Sequence, residues 1–211
     1  MSAPAAKAAA PVAILLAGGL ARRMGGGDKA LRPLAGRPLL QWVIERARPQ
    51  VARMALNANG DPTRFAAFAL PVISDPIADN PGPLAGVLAG LEWARAAAPE
   101  ATHVLSIATD TPFFPADLAD ALAAALARAP SPIACAASRG RLHPVFALWP
   151  VALAADLRRA LEAGTRKVDE WTARHGIAVA HFDDPGGDPF FNINTEADLV
   201  LAERRLAVSH A

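Results

Sequence analysis

The sequence predicts an α/β protein, with a mostly parallel sheet and helices on both faces. Three observations carry that expectation. Short apolar runs alternate with amphipathic stretches along the chain, the pattern of repeated β–α units. The runs are apolar throughout rather than alternately polar, as strands covered on both faces are. The loops richest in Gly, Asp, Asn and basic residues follow strand candidates, where open α/β sheets take their ligands.

Residues 1–11, rich in Ala and Pro, read as a flexible N-terminal tail, and 12–211 as a single domain. Val12 to Leu16 is short, apolar and bounded by glycine, so a buried strand spans 12–17. An amphipathic stretch gives a helix over 39–48. Apolar runs give strands at 51–57 and 70–74. Pro83 after Gly82 suits the first turn of a helix over 83–98. HVLSIAT is a strand at 103–109. Asp117 and Asp120 lie near the start of a helix over 116–128, where they favour its dipole. Strands follow at 132–137 and 145–148. Helices over 151–163 and 166–175 end at Gly164 and Gly176, where left-handed caps fall. A strand at 177–182 precedes a helix over 195–207. Thr195 is its N-cap, with Glu196 and Asp198 supplying a capping-box-like partner.

The bulk chemistry excludes several classes. The net charge is +1 and the pI about 8.0, without the strongly basic face that a nucleic-acid surface needs. A single cysteine, Cys135, rules out an internal disulfide framework and suits a reducing cytoplasm as an inert core residue. No run approaches the roughly 20 apolar residues that span a bilayer. The N-terminus resembles a weak signal peptide. Its apolar core is too short, however, and Arg22 and Arg23 lie on the far side of it.

The stretch VAILLAGGLARRMGGGDKALRPLAGRPLL at 12–40 describes a phosphate site. Glycines let backbone N–H groups approach a ligand that a Cβ would block, and Arg22, Arg23 and Lys29 add positive charge. It is neither a P-loop nor a G-x-G-x-x-G fingerprint. Asp110 ends the strand HVLSIATD, at the tip facing the cleft. Mg²⁺ prefers one or two carboxylates plus phosphate oxygens, and beside a phosphate loop Asp110 suits that role; in isolation it reads rather as a helix N-cap or turn aspartate. Asn192 and Asn194 flank an inward Ile193, and their amides can ligate a hard cation or meet a phosphate. Asn57 and Asp75 follow neighbouring strands, where a carboxylate can accept from guanine N1–H and N2–H. The stiff turn around Gly82 admits a flat ligand. Arg166 and Lys167 sit at a helix start, where basic residues oppose the dipole and point to an anion. His143 is a substrate contact or a satisfied structural histidine. The four tryptophans read as core.

LAGGLARRMGGGDKALRPLAGRPLL resembles the N-terminal signature of the molybdenum cofactor guanylyltransferases. The likeness continues through NAN at 57–59, SDPIADNPGPLAGVLAGL at 74–91, TDTPFFP at 109–115, HPVFALW at 143–149, GTRKVDEW at 164–171 and FFNINTEADL at 190–199. The resemblance implies a Rossmann-like nucleotidyltransferase fold. It also implies transfer of GMP from Mg²⁺-bound GTP to the phosphate of molybdenum-bound molybdopterin, releasing pyrophosphate. Molybdoenzymes or their chaperones would be downstream partners, in the cytoplasm. By motif match, Leu16, Ala17, Gly18 and Gly19 form the nucleotide loop, Lys29, Asn57 and Asp75 are further GTP contacts, and Asp110 is the Mg²⁺ ligand. Arg23 and Lys29 hold phosphates beside Asp110 as the catalytic set. Gly26, Gly82, Arg166, Lys167, Asn192 and Asn194 match positions near the reacting phosphate or the pterin. The chain departs from the family at Ala108-Thr109, where some members have Pro-Cys, and at 165–167, where spelling varies; the second leaves the pterin contacts open. A cytidylyltransferase for the same cofactor, a sugar-phosphate nucleotidyltransferase and a non-catalytic nucleotide-binding module remain as rivals. Gly19 and the Gly-Gly-Gly-Asp-Lys spelling favour the guanylyl branch.

Overall fold

The computed structural model describes residues 10–18, 26–77, 82–183 and 186–209. Most of the expected tail, and Gly19, Arg22 and Arg23 of the glycine loop, lie outside them. The strands are β1 (Val12–Leu16), β2 (Pro33–Leu34), β3 (Arg37–Pro38), β4 (Arg53–Asn57), β5 (Val72–Ile73), β6 (His103–Ala108), β7 (Ile133–Ser138), β8 (Arg141–Pro150) and β9 (Ile177–His181). The helices are α1 (Leu39–Ala47), α2 (Pro83–Ala97), α3 (Leu118–Arg128), α4 (Ala154–Glu162), α5 (Val168–Thr172) and α6 (Glu196–Ser209).

The main sheet runs β5-β4-β1-β6-β8-β7-β9. Only β8 is reversed: it pairs antiparallel with β6 and β7, and every other pairing in this sheet is parallel. The mostly parallel, doubly covered sheet is therefore present. Alternation along β1 shows how the strand serves two cores at once. Ala13 and Leu15 join α1 and α3 on one face, and Val12 and Ile14 join α2, α4 and α5 on the other. Trp149 and Trp171 are fully buried in the second core. Cys135 is buried in β7, and burial pushes its thiol up to about 11, which suits the inert role expected of it. Among the described residues no helix is long and apolar enough to cross a membrane.

Several features depart from the sequence expectation. A small hairpin, β2–β3, turns at Ala35 and Gly36, both with positive φ, and buries Leu34 against α6 with Leu39 and Ile193. Two-residue strands are too short to show a period. β8 begins at Arg141, earlier than expected, because Arg139 and Gly140 take left-handed conformations and close a tight hairpin from β7. The helix expected over 151–163 opens with a 3-10 turn (Val151–Leu153), and the one over 166–175 contracts to α5.

The chain builds outward from β1 to β4 and β5, then returns to place β6 on the other side of β1. The order reverses there, and a crevice opens above the carboxyl ends of the strands. Leu16, Asn57 and Ala108 stand side by side in register as the last residues of β1, β4 and β6. The loops that follow leave the sheet at one level.

Candidate active site

The β1 exit is stitched to the exits of β4 and β6. Ala17 donates its N–H to the Asn57 carbonyl at 2.9 Å, and the Thr109 hydroxyl donates to the Leu16 carbonyl at 3.0 Å. Gly18 is exposed, and a Cβ built on it would meet nothing within 4 Å, so the crevice is open at this point. Gly26 and Gly27 have φ of +88° and +81°, a region that costs other residues strain. Arg32 donates to the Gly26 carbonyl at 3.0 Å, pinning the returning loop.

That loop delivers Lys29 at the start of a 3-10 turn. The lysine is buried, yet its ammonium has two oxygen partners. It donates to Asp110 Oδ2 at 2.6 Å and to the side-chain oxygen of Asn194. The Thr111 hydroxyl bridges Asp110 Oδ1 at 3.1 Å and the Asn192 amide oxygen at 2.5 Å. Residues separated by 81 and 165 positions thus form one cluster. Ile193 is fully buried and donates its N–H to the Asp110 carbonyl at 2.9 Å, which holds both asparagines beside the carboxylate.

Asp198 supports this cluster from α6. Its carboxylate accepts the N–H groups of Asn194 at 2.9 Å and Thr195 at 2.8 Å, and its own N–H donates to Thr195 Oγ1 at 3.2 Å. This is the reciprocal cap expected at Thr195. Burial alone would raise the Asp198 carboxyl, but these donors and the Lys29 charge outweigh it and hold it below the usual carboxylate range.

On the other side of β1 the polar groups face a different task. Asn57 is buried, and its amide donates to the Ile73 carbonyl at 3.2 Å and to Asp75 Oδ1 at 2.9 Å. Asn59 donates to Asp75 Oδ2 at 2.7 Å and accepts the Asp75 N–H at 2.8 Å. Helix α2 presses close behind. A Cβ on Gly86 would lie 2.3 Å from Asn57 Oδ1, so only glycine fits there. Arg64 links the two loops: it ion-pairs with Asp28 at 2.6 Å and donates to the Asn59 and Asp61 carbonyls.

Gly82, with φ +151°, lies against the 166 segment: a Cβ there would be 3.6 Å from the Arg166 carbonyl. Arg166 and Lys167 are exposed. Arg166 donates to the Leu161 and Thr165 carbonyls, both at 2.9 Å, and so closes the end of α4. His143 is buried, stacks on Phe190 at 4.3 Å between centroids, and shares a hydrogen bond with Ser138, which also donates to Asp188. Burial lowers its pKa, and the structural reading of this histidine prevails. Sequence reasoning missed Asn59, Thr111, Asp198 and Arg64 as parts of the site. Asn59 was signalled by its place in the NAN motif at 57–59, without a role of its own.

Comparison with known proteins agrees with this geometry. Residues 13–179 match the family model of a MobA-like NTP transferase domain. A molybdenum cofactor guanylyltransferase of Rhodopseudomonas palustris (strain BisB5) is 56% identical over 202 residues, spanning 95% of this chain and 96% of the relative. One from Bradyrhizobium sp. (strain ORS 278) is 52% identical over 196 residues, spanning 92% of each. Among solved structures, molybdopterin-guanine dinucleotide biosynthesis protein A from Archaeoglobus fulgidus has a TM-score of 0.72 at 24% identity, over 93% of this chain and 99% of that one. A 4-diphosphocytidyl-2C-methyl-D-erythritol synthase from Anaerococcus prevotii has a TM-score of 0.71 at 14% identity, over 94% and 96%. At those identities the two structures speak for the fold alone. The chain is a nucleotidyltransferase that belongs to the MobA-like NTP transferase family, among the molybdenum cofactor guanylyltransferases.

Proposed function

We propose that this chain transfers GMP from GTP to the terminal phosphate of molybdenum-bound molybdopterin, forming the guanine dinucleotide cofactor and releasing pyrophosphate. The observation that carries the reading is one crevice with two kinds of acceptor. Above β6, Asp110 and Asn194 converge on a single cation, the Lys29 ammonium. Above β4, the Asp75 carboxylate is held in place by two amides.

The first set fits Mg²⁺. The donors available around Asp110 are oxygens of one carboxylate and two amides, the hard ligands this ion prefers. Among the described residues no group of three or more His, Cys, Asp or Glu could hold a metal. A single carboxylate suffices where phosphate oxygens complete the shell. When bound, the ion supplies charge neutralisation at the α-phosphate. Asp110 would hold it, with Asn192 and Asn194 as neighbouring oxygens, and Lys29 would serve the β- and γ-phosphates.

The remaining roles are assigned to the chain as follows. Leu16, Ala17, Gly18 and Gly19 line the nucleotide, and Asp75 accepts from guanine with Asn57 behind it. Arg23 joins Lys29 on the leaving pyrophosphate. Gly26, Gly82, Arg166, Lys167, Asn192 and Asn194 border the pterin phosphate. That phosphate monoester has a second pKa near 6, so its oxygen attacks the α-phosphorus already ionised. A P–O–P bond forms, the α–β bridging bond breaks, and pyrophosphate leaves. No general base is needed, and positioning and charge do the rest. The reaction belongs in the cytoplasm, with molybdoenzymes or their chaperones receiving the product.

The test mixes the protein with Mg²⁺, molybdenum-loaded molybdopterin and either GTP or CTP, and measures pyrophosphate and dinucleotide. Product with GTP and little with CTP is expected. Product mainly with CTP would assign the cytidylyl reaction, and GTP binding without pyrophosphate release would assign a non-catalytic module.

A further inference from the structure

We infer that Asn59 is a positioning residue that fixes the Asp75 carboxylate as a two-pronged acceptor and thereby sets the preference for guanine. The inference rests on the reading of Asp75 as the base contact. An aspartate's terminal torsion is broad, so its rotamer does not decide where the two oxygens point. Hydrogen bonds must do so, and two are needed to define a plane. Asn57 takes Oδ1 at 2.9 Å and Asn59 takes Oδ2 at 2.7 Å. A carboxylate offers about four acceptor positions, so each oxygen keeps capacity for a further donor. Guanine presents two parallel donors, N1–H and N2–H, which match two oxygens held in one plane. Hypoxanthine lacks the second donor, and cytosine offers a donor beside an acceptor.

Asn59 differs from Asn57 in how it is held. Asn57 is buried, bonded to the Ile73 carbonyl and pressed by Gly86 of α2, so the fold itself requires it. Asn59 is exposed. Both ends of its amide go to one residue, accepting the Asp75 N–H at 2.8 Å and donating to the Asp75 carboxylate. An exposed side chain adds little to folding, yet this one is committed wholly to the orientation of Asp75. Arg64, ion-paired with Asp28, in turn holds the Asn59 carbonyl and ties this loop to the glycine loop.

The experiment compares GTP with ITP as donors, reading kcat and KM for pyrophosphate release with molybdenum-loaded molybdopterin in wild type, Asn59→Ala, Asn59→Asp and Asp75→Asn. Losing control of one charge-assisted contact is expected to raise the GTP KM of Asn59→Ala on the order of 10-fold, with the ITP KM changed much less. kcat should stay within about threefold, because the transition-state contacts are untouched. Asn59→Asp should lose more of the GTP preference, since it sets a second carboxylate against Oδ2. A role confined to loop stability would lower the thermal midpoint and shift both KM values together, which would overturn the inference. A preference lost in Asp75→Asn but retained in Asn59→Ala would also overturn it, leaving the Asp75 reading intact. A preference retained in both would refute the Asp75 reading and the inference with it.

Discussion

Replacing Gly86 by alanine tests whether the base site depends on how closely α2 approaches the sheet. A Cβ there would lie 2.3 Å from Asn57 Oδ1 and 2.7 Å from Leu16 Cδ2. An ordinary contact begins at 3.4 Å, so relief needs a movement of about 1 Å at Asn57 or in the helix. Alanine gains up to about 1 kcal/mol over glycine in helix propensity. Overpacking a filled core costs about 1–3 kcal/mol. The clash at 2.3 Å involves a buried amide with hydrogen bonds to lose, which places the cost at the upper end. The expected net loss is about 1–2 kcal/mol, or roughly 2–8 °C in thermal midpoint for a chain of this size. Gly90→Ala is the internal control. Its Cβ would lie 2.7 Å from Ile14, so it strains the same helix away from Asn57. Both variants should unfold at lower denaturant, and only Gly86→Ala should also raise the GTP KM by several-fold. A Gly86→Ala protein as stable as wild type, with an unchanged KM, would refute the reasoning.

Other predictions follow from the same geometry. Asp110→Asn should cost about 10²–10³-fold in turnover, the scale of losing one electrostatic stabiliser. It should also lower stability, because Asp110 is the ion partner of the buried Lys29; full stability would show that the pair is unimportant in the fold, and retained turnover that another group holds the ion. Arg166→Ala should cost about 0.5–1.5 kcal/mol by removing its bonds to the Thr165 carbonyl and to the Leu161 carbonyl, which keeps the Gly164 N–H, whereas Lys167→Ala should leave stability within about 0.5 kcal/mol. Titrating each with the pterin substrate then separates an end-of-helix role from an anion contact: weaker pterin binding in Lys167→Ala supports the contact, and unchanged binding in both variants removes the pair from the site. Burial lowers the pKa of His143, against the raising charge of Asp188, and lowers that of His103. The unfolded chain therefore takes up protons first, so stability is full above the ordinary histidine value of about 6.5 and is lost as pH falls through it. The thermal midpoint should drop from pH 7.5 to 5.5, and less so in His143→Gln. An identical drop in that variant would assign the effect elsewhere.

Much of the fold was legible because its signals are local. The apolar runs of β1, β4 and β6, the Gly82-Pro83 start of α2 and the Thr195 cap each announce themselves within a few residues. The β2–β3 hairpin and the early start of β8 were not, since both rest on non-glycine residues, Ala35 and Arg139, held at positive φ. Tertiary packing, not propensity, sets such turns. The site divides in the same way. Asp110, Lys29 and the two asparagines could be named from their loops, but not their mutual contacts, which join positions 81 and 165 apart. Read from sequence, Asp110 is a strand-tip carboxylate facing the cleft with no partner in view. The structure supplies the partner, because the Lys29 ammonium neutralises it.

That pairing explains how the crevice can be both acidic enough for a cation and basic enough for a triphosphate. A carboxylate and amide oxygens left without a counter-charge in a half-buried cleft would repel an incoming triphosphate and destabilise the fold. With the Lys29 ammonium lying between Asp110 and Asn194, the cluster is already neutralised and its geometry already set. On the proposed reading, a metal-bound nucleotide would bring both charges at once: the cation would meet the oxygens that Lys29 now holds, and the ammonium would be available to the phosphates. Less charge would then be left unpaired on binding, and less of the binding energy lost to desolvation. Asp198 holds Asn194 in place through its backbone N–H and leaves its side-chain oxygen to the Lys29 ammonium. The carboxylate that looks like a helix cap in the sequence therefore also braces, from behind, the Asn194 that meets the Lys29 ammonium.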